Sequence, residues 1–114
     1  MHPIERAKLL AEDIRESEEY KTYAQYKETV DSDEGIKSLL KEYARMQMRM
    51  QFAAASGQQT DGEEMQRFSN LSALLYNDSR TSGYLMAQLR LQKLTADVLQ
   101  IIGAAADLDM DLPR

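Results

Sequence analysis

Residues 84–105 carry an apolar stripe that one side of a long helix has to bury. Tyr84, Ala87, Leu91, Leu94, Val98, Ile101 and Ala105 recur at alternating steps of three and four. That spacing returns to one face of an α-helix over about six turns. No proline interrupts the run, and its glycines are Gly83 at the start and Gly103 near the end. A helix from about residue 79 to about 106 would be about 42 Å long at 1.5 Å per residue. A compact chain of this length is only about 34 Å across, from a radius of gyration of roughly 13 Å. The helix must therefore lie against another long helix, a second copy or a different partner. That favours an interaction protein over an enzyme.

The rest of the chain reads as helices separated by capping residues. Pro3 suits a first turn, where its missing N–H has no partner to lose, and Ile4, Ala7, Ala11 and Ile14 form the apolar side of a helix over 3–16. Ser17-Glu18-Glu19 marks a restart, with a hydroxyl for an exposed N–H and acids at the positive end of the dipole. A second helix over 18–30, kinked from the first or continuous with it, uses Tyr20, Tyr23, Tyr26 (or the stem of Lys27) and Val30. Asp31 to Gly35 breaks the pattern. A third helix over about 34–56 follows, with a seam of Ile36, Leu39, Tyr43, Met46, Met50 and Ala53. Gly57 suits the left-handed conformation past its end. Thr60 and Glu63 have the spacing of a capping box, opening a fourth helix that runs to about Tyr76. Asn77-Asp78-Ser79 then caps the last one. No strand is expected. The reading is a single all-α domain over 1–106, an elongated helical hairpin or bundle of four to five helices, with an acidic and flexible tail at 107–114.

Charge and residue types narrow the function. The formal charge is −5, and neither half is basic: nine Lys/Arg against eleven Asp/Glu up to Gly57, and five against eight beyond it. A phosphate backbone finds no footprint here, so direct nucleic-acid binding is not expected. There is no cysteine, which excludes disulfides and thiolate-bound metals. The start lacks the apolar core of a signal peptide and no apolar run reaches membrane-spanning length, so the expected location is the cytoplasm. The single histidine, His2, reads as a solvated terminal side chain, since a zinc site needs several ligands. Glu12, Asp13 and Glu16 lie off the apolar stripe of their helix, and Asp31, Asp33 and Glu34 miss calcium-loop spacing. No catalytic residue, metal site or cofactor is expected.

Met46, Met48 and Met50 cannot share one helix face. Met46 and Met50 belong to the seam of the third helix; Met48, with Phe52 one turn on, points elsewhere and makes a second apolar surface, or the edge of one broad core. The candidate interaction surface is Tyr43, Met46, Met48, Met50 and Phe52 on the third helix, with Tyr84, Leu91, Leu94, Val98 and Ile101 on the last.

Taken in order, several pieces resemble the YlbF/YmcA family of small helical bacterial regulators: Ala7 through Ile14, Ser17 through Tyr20 with Tyr23, Leu39-Leu40 through Tyr43 and Gln47, the Gly57 loop, Leu71 and Leu74 before Asn77, and Tyr84 through Ala87 opening the long last helix. The resemblance spans about residues 4–105. It implies an all-helical protein without catalytic activity that forms homo- or hetero-oligomers, a dimer or higher, with related helical subunits. It also implies control of competence, sporulation and biofilm formation by modulating a ribonuclease that processes mRNA. Some complexes of the family hold iron–sulfur clusters through cysteines, and a chain without cysteine does not inherit that property. The expected function is a regulatory adaptor; the alternative is a self-assembling helical bundle with no specific client.

Overall fold

The computed structural model describes residues 2–107. They form five helices: α1 (Pro3–Arg15), α2 (Glu18–Asp31), α3 (Glu34–Ala55), α4 (Gly62–Asn77) and α5 (Ser79–Ala105). No strand occurs among the described residues. The all-α expectation holds.

Each boundary has a side-chain cause. The His2 ring accepts the Ile4 N–H through Nδ1 at 3.2 Å ahead of Pro3, so this histidine is exposed but employed as a cap. The first thirty residues make two helices because Ser17 serves both ends of the break. Its hydroxyl donates to the Ile14 carbonyl at 2.5 Å and accepts from the Tyr20 N–H at 3.2 Å. Ser17→Ala is therefore expected to lose about 1 kcal/mol, the usual worth of such a cap, measured as a lower urea midpoint with unchanged slope. Asp33 caps α3 through the Ile36 N–H. Gly57, at φ +76°, closes α3 with paired bonds from the Gln58 N–H to the Ala53 carbonyl and from the Gly57 N–H to the Ala54 carbonyl, which satisfy two of its last carbonyls.

The start of α4 differs from the capping box expected at Thr60. Asp61 is the cap, and its carboxylate accepts the Glu63 N–H at 3.2 Å. A carboxylate one position nearer to the helix takes the first-turn donor, and it adds a favourable charge at the dipole's positive end.

The described chain divides into two compact units. Lys27–Gly83 make one; the chain's two ends, through Tyr26 and from Tyr84 onward, make the other. In the continuous unit α3 and α4 pack antiparallel. Glu42 and Tyr43 meet Arg67 and Phe68, whereas Arg49 meets Glu64, so the later part of α3 lies against the earlier part of α4. The Tyr43 and Phe68 rings stack with centroids 5.0 Å apart and 7° between planes. Val30, Leu40, Met46 and Leu75 complete the core. Thr81 is buried with them, and its hydroxyl reaches the carbonyls of Leu75 and Asp78. That gives the turn between α4 and α5 a partner for carbonyls the helix end would otherwise orphan.

The unit built from the two ends has a thinner core. Leu85 and Ala87 are buried, and the rings of Tyr23 and Tyr84 lie 5.5 Å apart, with their hydroxyls at 3.5 Å. Helix α1 has no buried residue at all.

Candidate functional site

The long stripe on α5 is not buried evenly. Ala87 is 3% exposed, Leu91, Leu94 and Val98 are half-buried, and Ile101 is 71% exposed. Ile102, beside it, is also exposed. Past Val98 the stripe thus comes into solvent at Ile101 and Ile102, while Leu99 stays half-buried and Gly103 buried on the neighbouring side of the helix. Tyr84, the first member, is half-buried against Tyr23.

The α3 candidates separate by face. Tyr43 and Met46 lie inside the chain's own core, Met46 at 2% exposure, and Met50 is half-buried. Met48 and Phe52 point the other way, 70% and 73% exposed. Together with Arg49 and the Gln58–Asp61 connection they border a groove of about 570 Å³. Arg49 Nη2 sits 2.8 Å from Glu64 Oε1 but off the hydrogen-bonding direction, so this pair is held by charge rather than by a directed bond. At that exposure such a pair contributes little stability. The surface that remains available is therefore Met48 and Phe52 on α3, and the Val98–Ile101 end of α5. The sequence pattern left out Leu9 on α1 and Ile102 on α5, both exposed; Leu9 lies off the stripe of its helix, whereas Ile102, four residues after Val98, lies on it.

A second cleft, of about 450 Å³, lies between the first turns of α2 and the middle of α5. Glu18 and Glu19 face Arg90 and Lys93 across it, and Lys93 is bonded to Asp97 at 3.1 Å. It holds no nucleophile set beside a base, the arrangement that covalent catalysis needs. Among the described residues no three His, Cys, Asp or Glu side chains gather as a metal site would require, and the chain has no cysteine to hold a cluster. No helix among them is long and apolar enough to cross a membrane.

The shifted titrations are structural. Hydrogen bonds donated by Arg80 Nε and Nη2 hold the Asp78 carboxyl below its ordinary pKa, and the Arg80 backbone N–H adds to them. The hydrogen bond from Lys27 does the same to Asp31. A carboxyl whose folded pKa is depressed stabilises the fold above its unfolded value and loses that contribution as the pH falls through the folded one. The thermal midpoint is thus expected to hold near neutrality and to drop below about pH 4. Asp78→Asn should flatten part of that drop in a melting series across pH 2–6, the span of roughly two units either side of the ordinary carboxylate value. Burial pushes the Tyr76 hydroxyl upward, with Tyr43 adding to the effect.

One family model and several known proteins match this chain. The family model described as "Control of competence regulator ComK, YlbF/YmcA" matches residues 4–106. A UPF0342 protein of Symbiobacterium thermophilum is 30% identical over 110 residues, covering 96% of this chain and 98% of its own. A UPF0342 protein of Halothermothrix orenii is 32% identical over 93 residues, covering 82% and 79%. Among solved structures, a protein of unknown function (DUF964) from Bacillus stearothermophilus superposes with a TM-score of 0.72 over 93% of this chain and 94% of that one. At 20% identity that match speaks for the fold.

Proposed function

The chain belongs to the YlbF/YmcA family, and on that premise we propose that it is a non-enzymatic regulatory adaptor of the cytoplasm. It assembles through its helices with copies or related helical subunits and modulates a ribonuclease complex, and through it competence, sporulation and biofilm formation. The observation that carries this reading is the outward end of α5. Ile101 and Ile102 stand exposed on a stripe whose earlier members the chain covers itself. Neighbouring large apolar side chains left in solvent mark interaction surfaces, and these lie where a partner can extend the same helix packing.

The chemistry of the clefts supports an adaptor in the same direction. One is walled by solvated charges, and the other by methionine, phenylalanine and amides with Arg49, Asp61 and Glu64 at its edge. Methionine is unbranched and adapts to irregular partners, which suits binding and offers no acid or base to a reaction.

The test is affinity purification of the tagged protein from its native cytoplasm, with mass spectrometry of what co-elutes. Recovery of a ribonuclease or of related small helical subunits is the expected result. Recovery of the chain alone, in a defined multiple, would replace the adaptor with a self-assembling bundle.

A further inference from the structure

Two helices of this chain carry exposed faces that complement each other. On the outer side of α3, Lys41, Arg45, Met48 and Phe52 fall within about 60° of one another at 3.6 residues per turn, and all four are exposed. On α1, Glu5, Leu9, Glu12 and Glu16 fall within a similar arc of about 60° and are likewise exposed. Glu16 stays on the helical path because the cap keeps right-handed backbone angles, φ −93° and ψ −2°. Neither Lys41 and Arg45 nor Glu12 and Glu16 make an ion pair among the described residues. A cationic row on a chain of net charge −5 is a local reversal of sign, and it ends in two large apolar side chains.

The two faces match in order as well as in charge. Glu12 and Glu16 lie three and seven residues after Leu9; Arg45 and Lys41 lie three and seven residues before Met48. On both helices those steps are about 4.5 and about 10.5 Å along the axis. We propose that α1 of one copy docks antiparallel on the outer face of α3 of a second copy. Leu9 packs against Met48 and Phe52, Glu12 meets Arg45, and Glu16 meets Lys41. Lys8 and Arg15 flank the α1 arc, and Glu34, on the same side of α3, lies beyond the overlap. Antiparallel placement also opposes the two helix dipoles favourably. Because each copy owns both faces, the contact can be made in both directions between two copies, as an isologous pairing requires.

The proposal rests on the adaptor reading only in that both need an assembling chain, and charge reversal separates them. One variant carries Glu12→Lys with Glu16→Lys; the other carries Lys41→Glu with Arg45→Glu. Sedimentation equilibrium, with circular dichroism to confirm retained helices, gives the readout. Each variant alone is expected to self-associate roughly tenfold more weakly than the parent or worse, since like charges now face each other. An equimolar mixture should regain parental association, because all four facing pairs are again opposite in sign. Association of either variant at the parental level, no recovery on mixing, or a monomeric parent overturns the contact. If a charge variant loses helicity, Leu9→Ala and Phe52→Ala decide instead: both must weaken the dimer. Failure to recover a ribonuclease from cells would sink the adaptor reading and leave this result standing.

Discussion

Met46→Ala is expected to lower stability by about 2–5 kcal/mol, the range for deleting a large buried side chain that its surroundings cannot close over. Met46 is among the largest fully buried side chains in the chain. It lies on the buried side of α3, one turn on from Tyr43, whose ring is held flat against Phe68, so little is free to collapse into the space. Met48→Ala, two residues away on the same helix, removes the same atoms from a position exposed in the single copy and, at concentrations that keep the chain monomeric, should stay within about 0.5 kcal/mol. Urea unfolding of the pair measures the contrast. Equal losses would mean that α3 is rotated relative to the orientation described here.

Ile101→Glu combined with Ile102→Glu should have the opposite signature. Both side chains already face water, so the melting temperature should hardly move. If the end of α5 receives a partner, binding should fall roughly thirtyfold or more, since truncating or charging a central contact costs about 2 kcal/mol or more. Titration of purified partner against parent and variant, read by calorimetry, gives both numbers. A variant that melts normally and binds normally would remove this end of α5 from the interface. Val98→Glu is the instructive control. Val98 is half-buried, so a carboxylate there should cost stability first and affinity only as a consequence.

The helix boundaries were legible because their causes are local. Ser17, Asp33, Gly57 and Asp78 each act within a few residues of their own position. The cap of α4 shows the limit of that reading: Thr60 and Asp61 both offer an oxygen at the right place, and the choice depends on which residue enters the extended conformation. The buried side of α3 was also legible, since Tyr43 and Met46 follow the seam. How far burial extends along α5 was not. Periodicity identifies the face that turns inward, but the point at which covering ends depends on where other helices stop, and no residue within 84–105 records that. For the same reason Tyr43 and Met46 shared a candidate surface with Met48 and Phe52 until their exposures separated them. The complementary faces of α1 and α3 needed the structure too, since charges at one-turn spacing matter only once they are known to be exposed and unpaired.

The division of the chain into a continuous unit and one made from both ends sets an order of events during synthesis. Lys27–Gly83 can close on itself as it leaves the ribosome, because its contacts are separated by short stretches of chain. The other unit has to wait, since α1 is made first and α5 last. At about 5–20 residues per second α1 spends on the order of ten seconds outside the ribosome before Leu85 and Ala87 follow. A strongly apolar helix would be hazardous over that interval. The helix that waits has no fully buried residue even in the finished chain, with Leu10 and Ile14 only half-covered, and its acids and bases keep it soluble in the meantime. The long apolar helix that would aggregate most readily is the one that emerges when everything it packs against already exists.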